Sequence, residues 1–112
     1  MQSLAIALPV APGKSERAAN LQKEIDERRR AYEELNDSAD LVRHIAFLQT
    51  TPMGDFVIML YQGDDLSKLL RPFTGSDYDN WWLGWVKDVH GLDLAAMTEP
   101  PPLPKIIFSW EK

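Results

Sequence analysis

The 112-residue sequence contains no cysteine. This absence excludes disulfides, thiolate nucleophiles and metal sites built on cysteine ligands. Basic residues are in the minority, 12 against 17 acidic residues, and the formal net charge is -5. Because nucleic acids and anionic membranes bind to basic surfaces, we expect neither of them as a partner.

Glycine is also scarce, and its six copies are too scattered to form a phosphate-binding or dinucleotide-binding motif. The apolar start of the chain lacks a basic flank, and Pro9 and Pro12 interrupt it. We therefore expect no signal peptide and no membrane span, and a cytoplasmic location. With only two histidines, His44 and His90, and no clear carboxylate partner for either, no metal site or cofactor is expected.

What the chain does contain is enough apolar material for a core, since 45% of its residues are hydrophobic and 10% are aromatic. We see no internal repeat and no change of composition that would mark a boundary. One domain covering residues 1–112 is the expectation for this length.

A β-hairpin is the clearest element that the sequence predicts. Residues 41–50 and 56–62 are rich in β-branched and aromatic side chains, which favour strands. Between them, Pro52 fixes φ at the start of a turn, and Gly54 can adopt a positive φ.

Two elements are predicted before the hairpin. Residues 3–10 alternate weakly and predict a strand that ends at Pro9. An apolar stripe with a helical period predicts one long helix from Glu16 to Leu35, with Ser15 as its N-cap.

Further elements are predicted after the hairpin. Asp65 begins a short helix, and Ser76 and Gly91 bound a second long helix over residues 77–90. The proline-rich residues 97–104 predict an extended, irregular segment, and residues 105–110 predict a last strand.

The predicted order is β-α-β-β-α-β, which defines a ferredoxin-like α+β fold. In that fold both helices cover one face of a four-stranded antiparallel sheet, and right-handed crossovers place the first and third strands in the middle. Both faces of the predicted hairpin are apolar: Ile58 and Leu60 point one way, and Val57 and Met59 the other. Because two helices can cover only one face, we expect a homodimer that forms through the second.

The sequence resembles the dimeric α/β-barrel superfamily, and within it a set of small uncharacterised bacterial proteins. The superfamily includes antibiotic-biosynthesis monooxygenase-like proteins and stress-responsive barrel proteins. The residues that carry the resemblance are Ala7–Val10, Pro12–Lys14, Phe47–Gln49, Thr51–Asp55 and His90–Asp93. The resemblance covers most of the chain, and it implies a homodimer with any small-molecule pocket between helices and sheet.

His44 is the one candidate catalytic residue. It lies within a strand between apolar neighbours, where it could handle a proton or could serve only as a structural hydrogen-bonding group. Tyr61, Trp81 and Trp82 are candidates for the walls of a small-molecule pocket, although aromatic residues at helical spacing are more often part of a core or a dimer interface.

Three functions remain open from the sequence. The first is a homodimeric domain that binds a small, largely apolar molecule between sheet and helices. The second is a cofactor-independent, monooxygenase-like enzyme, in which His44 would move the proton. The third is a structural or stress-associated protein whose role is assembly.

Overall fold

The computed structural model describes residues 1–99 and 102–112, and shows an α+β domain with one antiparallel sheet. The strands are β1 (Gln2–Pro9), β2 (Leu41–Thr51) and β3 (Gly54–Gly63). The α-helices in this part of the chain are α1 (Ser15–Ala19), α2 (Leu21–Asp26), α3 (Arg29–Ser38) and α4 (Asp77–His90). Short 3-10 helices follow β3 at Leu66–Leu69 and α4 at Leu94–Ala96.

The predicted hairpin is confirmed. β3 lies at the centre of the sheet and pairs antiparallel with β1 on one side and β2 on the other. At the turn, Gly54 has a φ of +121°, which favours glycine. The hydroxyl of Thr51 accepts a hydrogen bond from the Met53 N–H at 3.1 Å and donates to the Gly54 carbonyl at 2.6 Å.

The core lies between one face of this sheet and the helices. Val57 and Met59 of β3 are buried there, and Trp85 and Val89 of α4 have no exposed surface. The cluster is completed by small and branched side chains from α1, α2 and α4: Ala18, Leu21 and Val86. The buried residues of β3 and the apolar stripe of α4 therefore form one hydrophobic layer, as expected for a sheet that is covered on one face by helices.

The opposite face of the sheet, which we call the outer face, is also apolar. Residues paired across neighbouring strands share a face, so the register places these seven residues together: Ala5, Ala7, Ile45, Phe47, Phe56, Ile58 and Leu60. Phe47 is 51% exposed, and both alanines are exposed. The predicted presence of two apolar faces is therefore a property of the folded sheet.

The single long helix predicted over residues 16–35 is wrong, because the chain forms three separate helices there. The helical dihedrals are lost at Asn20, with φ −94° and ψ 13°, and at Arg28, with φ −134° and ψ 33°. The Arg28 guanidinium donates to the Glu24 carbonyl oxygen, so this side chain satisfies an acceptor at the end of α2. Ser15 is not the N-cap either: Lys14 occupies that position, and the Ser15 hydroxyl donates to Asp55 at 2.6 Å.

The last predicted strand is also wrong for the described residues. Residues 105–110, which we call the C-terminal arm, pair with no strand. Four large side chains of the arm are exposed: Ile106 by 64%, Ile107 by 90%, Phe108 by 82% and Trp110 by 75%. A strand needs a partner for its backbone groups, and the described sheet has three strands rather than the predicted four. The predicted extended segment includes Pro100 and Pro101, which lie outside the described residues.

Between the hairpin and the C-terminal arm, Asp65 to Gly91 follow the prediction closely. The Asp65 carboxylate accepts from the Ser67 N–H at 3.1 Å and begins the short 3-10 helix. The Ser76 hydroxyl accepts from the Asp79 N–H at 3.1 Å and caps α4. Gly91 ends α4 with a φ of 69°, as expected for a left-handed C-terminal residue.

Candidate functional site

The candidate site is a group of five rings between α3, α4 and the sheet, which we call the aromatic cluster: Tyr32, His44, Tyr61, Tyr78 and Trp81. His44 of β2 pairs with Tyr61 of β3, so both side chains point to the helix-covered face. Their rings stack with centroids 4.3 Å apart and an angle of 12° between the planes. From α3, the Tyr32 hydroxyl forms a hydrogen bond of 2.8 Å with Nδ1 of His44.

The other ring nitrogen of His44 is the unusual atom of the cluster. Nε2 is buried and has no hydrogen-bond partner among the described residues. If the Tyr32 hydroxyl donates to Nδ1, then Nε2 carries the proton of the neutral ring; if Nδ1 donates, Nε2 is a free acceptor. In either tautomer one polar atom is left unsatisfied, at a typical cost of about 1–3 kcal/mol.

Burial disfavours the charged forms of three members of the cluster. It lowers the pKa of His44 to about 4, because the charged imidazolium is poorly solvated there. Burial likewise raises the pKa of Tyr61, and it raises the pKa of Tyr78 to about 12. The Tyr61 hydroxyl donates to the sulfur of Met59 at 3.3 Å. His44 is therefore uncharged near neutral pH and lies in an apolar, aromatic environment.

Trp81 lies at one end of the cluster, and residues outside the cluster hold its ring in place. Its ring lies 5.5 Å from Tyr78, and its Nε1–H donates to Glu24 at 3.0 Å. The Arg28 guanidinium lies over the same ring, 4.5 Å from its centre, in a cation–π contact. Hydrogen bonding to Arg17 is the main cause of the lowered pKa of Glu24, so this carboxylate stays ionised and holds the indole in place.

The structure places the four sequence-predicted residues in two groups. His44, Tyr61 and Trp81 belong to the aromatic cluster. Trp82 lies beside Trp81, with centroids 5.9 Å apart, but it stacks on the fully buried Trp85 at 5.5 Å. Trp82 therefore continues the cluster into the hydrophobic core.

Tyr32 and Tyr78 are members of the cluster that sequence reasoning missed as site residues. The sequence places Tyr32 only in the apolar stripe of the first predicted helix. It places Tyr78 in an aromatic patch with Trp81, Trp82 and Trp85, which could line a ligand site, but does not single it out. The available signal was that both stripes include a residue with a polar tip, which usually finds a hydrogen-bond partner when buried. Nothing local to α3 indicates that this partner is His44.

Two open grooves on the surface of the described residues lie elsewhere. Both follow α1 and α2, with polar or charged side chains such as Lys23 and Glu27 in their walls. Between the sheet and the helices, the space beside His44 is taken up by the rings of Tyr61 and Tyr32.

Within residues 1–99 and 102–112, no three histidine, aspartate or glutamate side chains come together in a way that could hold a metal ion. No helix in the same residues has the length and apolar character needed to cross a membrane. The fold and the site define a small α+β domain that has a three-stranded antiparallel sheet and a partly buried aromatic cluster. Comparison with protein-family models, curated proteins and solved structures finds no match.

Proposed function

We propose that this protein is a homodimeric binding domain that takes a small, flat, largely apolar molecule between the helices and the sheet. The molecule would lie against the aromatic cluster and carry one hydroxyl or carbonyl group. The observation that carries this proposal is Nε2 of His44, a buried polar atom among aromatic rings that has no hydrogen-bond partner in residues 1–99 and 102–112. One polar group in an apolar site is a common way to fix the orientation of a ligand.

Entry to this site depends on α3. None of its ten residues is fully buried, and Tyr32 is its hydrogen-bonded contact to β2. α3 is also separated from α2 by the break at Arg28. A ligand can therefore reach His44 if α3 moves and the Tyr32 ring is displaced, without disturbing the buried residues of α4.

The homodimer part of the proposal is supported by the outer face. A second copy placed on it would cover Phe47 and its apolar neighbours, which one chain leaves exposed. The strand order β1-β3-β2 matches the corresponding part of a ferredoxin-like sheet, in which a fourth strand lies beside β1. The proposal therefore includes membership of the dimeric α/β-barrel superfamily and a cytoplasmic location.

A second candidate is a cofactor-independent, monooxygenase-like enzyme, and the pairing of His44 with Tyr32 favours it. A neutral imidazole whose Nδ1–H donates to the Tyr32 oxygen presents a bare Nε2, which can accept a proton from a substrate. The catalytic assignment of His44 is part of this second candidate, with Tyr61 and Trp81 shaping the pocket.

Two related probes test the binding site: 2-naphthol, which has one hydroxyl on a flat apolar ring system, and naphthalene, which lacks it. We expect 2-naphthol to bind at least about tenfold more tightly, because only the hydroxyl can pair with His44 Nε2. In His44→Phe this preference should disappear, and in the control His90→Phe it should remain. Nitrogen NMR of the histidine side chains should show the 2-naphthol shift at His44.

Equal binding of both probes, or shifts confined to residues outside the aromatic cluster, would contradict the binding site. If neither probe binds and the protein is nevertheless a dimer, the role in assembly is favoured. Addition of 2-naphthol under air followed by product analysis separates the two candidates: an oxygenated product that His44→Phe fails to make favours the enzyme.

A further inference from the structure

We propose that the C-terminal arm forms a strand on the free edge of β1 in a second copy of the chain, so that two copies exchange arms. The inference rests on the proposed homodimer and adds the element through which the two chains join. It is carried by the open backbone edge of β1, by the small side chains along that edge and by the exposed apolar side chains of the arm.

The open edge follows from the hydrogen-bond register of β1. The Val10 N–H donates to the Asp55 carbonyl at 2.9 Å, so even-numbered residues of β1 form the hydrogen-bonded pairs with β3. The backbone groups of Ser3, Ala5 and Ala7 therefore point away from β3, to a side where the described chain places no strand. Pro9 has the same orientation, but its carbonyl already accepts a hydrogen bond from His90 at 2.7 Å.

The side chains beside this edge leave room for larger ones. On the outer face β1 contributes only Ser3, Ala5, Ala7 and Pro9, next to the larger Ile58 and Leu60 of β3. On the helix-covered face, Leu4, Ile6 and Leu8 are only partly buried, so the hydrophobic layer is incomplete at this edge. A neighbouring strand with large apolar residues would fill both places.

The arm has these residues in the required alternation. Ile106, Phe108 and Trp110 would share one face of a strand, and Ile107 would lie on the other. Side chains of this type bury about 150–250 Å² each when aromatic. Two exchanged arms and the surfaces they cover therefore reach on the order of 1,200–2,000 Å², the size of a stable interface.

Exchange between copies fits the proposed homodimer better than folding of the arm onto its own β1. An arm on its own edge would complete one sheet but would not join the two chains. In a symmetric exchange, arm residues that share a face with Ala5 and Ala7 lie between the two sheets, so they extend the same interface. Each arm then satisfies the open edge of the other chain.

Cross-linking in the full chain tests the exchange, because the natural sequence has no cysteine. We expect the double variant Ala5→Cys with Phe108→Cys, treated with a short bifunctional maleimide, to give a covalent dimer on a denaturing gel. The single variants Ala5→Cys and Phe108→Cys are the controls and should give much less. A link within one chain, or no link that exceeds the controls, would overturn the proposal.

Sedimentation separates failure of this inference from failure of the proposed dimer. If Phe108→Asp raises the dimer dissociation constant at least about tenfold while Met53→Asp, at the exposed hairpin tip, leaves it unchanged, the arm contributes to association. A wild-type monomer would contradict both the dimer and the exchange. A wild-type dimer that Phe108→Asp does not weaken would contradict the exchange alone.

Discussion

The His44 ring makes two contacts with tyrosines. Its ring is stacked on Tyr61, and Nδ1 is bonded to Tyr32, while Nε2 lacks a partner in the described residues. Burial favours the neutral ring, because it lowers the pKa of His44. The imidazole is therefore held as an uncharged polar group, which can bind a hydroxyl or carbonyl but does not attract an anion.

The lowered pKa of His44 predicts a loss of stability in mild acid. The unfolded chain takes up the proton near the ordinary value of 6.5, whereas the folded chain resists it until about 4. The free energy of unfolding should therefore fall by about 2–3 kcal/mol as the pH drops through this window, and then level off for this group. Chemical denaturation of the wild type and of His44→Gln between pH 7 and pH 4 measures the difference.

His44→Gln should lack this part of the pH dependence, because its amide does not titrate. Carboxylates titrate in both proteins and cancel in the comparison. His90→Gln serves as the matched variant, because it removes the other histidine and leaves the aromatic cluster unchanged. Parallel curves for wild type and His44→Gln would contradict the buried, neutral histidine.

The sequence identifies His44 but not its surroundings. A histidine in a strand rich in apolar residues is conspicuous in the sequence. The register of the folded hairpin places it on the same face as Met59 and Tyr61. Its hydrogen bond to Tyr32 depends on the direction of α3 relative to α2. These two helices are separated at Arg28, which contacts Trp81, a residue far away along the chain. Pair contacts between distant elements have no local pattern, and so Tyr32 could not be assigned to the site.

At the scale of elements, α4 is held in place by Asp79 as well as by its tryptophans. Asp79 is only 1% exposed and accepts hydrogen bonds from Arg71 at 3.0 Å and from the Thr74 N–H at 2.8 Å. Bonding to Arg71 is the main reason why the pKa of Asp79 falls to about 2. The first turn of α4 and the preceding loop are therefore joined by one buried carboxylate.

Asp79→Asn should destabilise the fold by about 1–3 kcal/mol, because it removes the charge that pairs with Arg71. The folded pKa lies below the ordinary value of 3.8. The stabilisation is therefore fully present above about pH 4 and is lost as the pH falls towards 2. Thermal melts of wild type and variant should differ at pH 7 and converge near pH 2.

Asp77→Asn is the control, since this residue lies in the same turn of α4 but is exposed. Its melting temperature should stay close to that of the wild type. A difference between wild type and Asp79→Asn that persists unchanged at pH 2 would mean that the charge of Asp79 is not the cause.

Elements with complete local signals were predicted correctly, and those that depend on distant contacts were not. The hairpin has Gly54 in its turn, and α4 has Ser76 and Gly91 at its ends, so sequence and structure agree on them. Apolar residues recur with one helical period through α2 and α3. The helix is nevertheless interrupted at Arg28, whose side chain donates a hydrogen bond to the last turn of α2 and contacts Trp81. A helical period indicates which residues can lie on one apolar face, but it does not indicate where a side-chain contact interrupts the helix.

At the scale of the whole molecule, the apolar outer face is the basis of the proposed homodimer. If the homodimer forms there, Phe47→Asp should weaken it at least about tenfold, because a charge would be buried between two apolar sheets. The control is Leu70→Asp, whose position is 55% exposed in the loop before α4. Sedimentation at micromolar concentration should give about twice the chain mass of 12.8 kDa for the wild type and for this control.

A wild-type monomer at that concentration, or equal masses for Phe47→Asp and the wild type, would contradict association through the outer face.

The fourth strand shows why the sequence could not predict the complete sheet. Residues 105–110 have a typical strand pattern, but β-structure is formed only when a second strand supplies the partner groups. The described arm has no such partner within its own chain, so its strand-like pattern does not produce a strand there.

The weak burial of α3 also has a consequence for motion. A helix with few buried contacts can open by itself while the remainder of the fold stays intact, and such partial openings dominate amide exchange in native proteins. We expect the amides of α3 to exchange with deuterium much faster than those of α4, which contains the fully buried Trp85 and Val89. The frequency of that opening would then set the rate at which solvent and ligands reach His44, independently of their affinity for it.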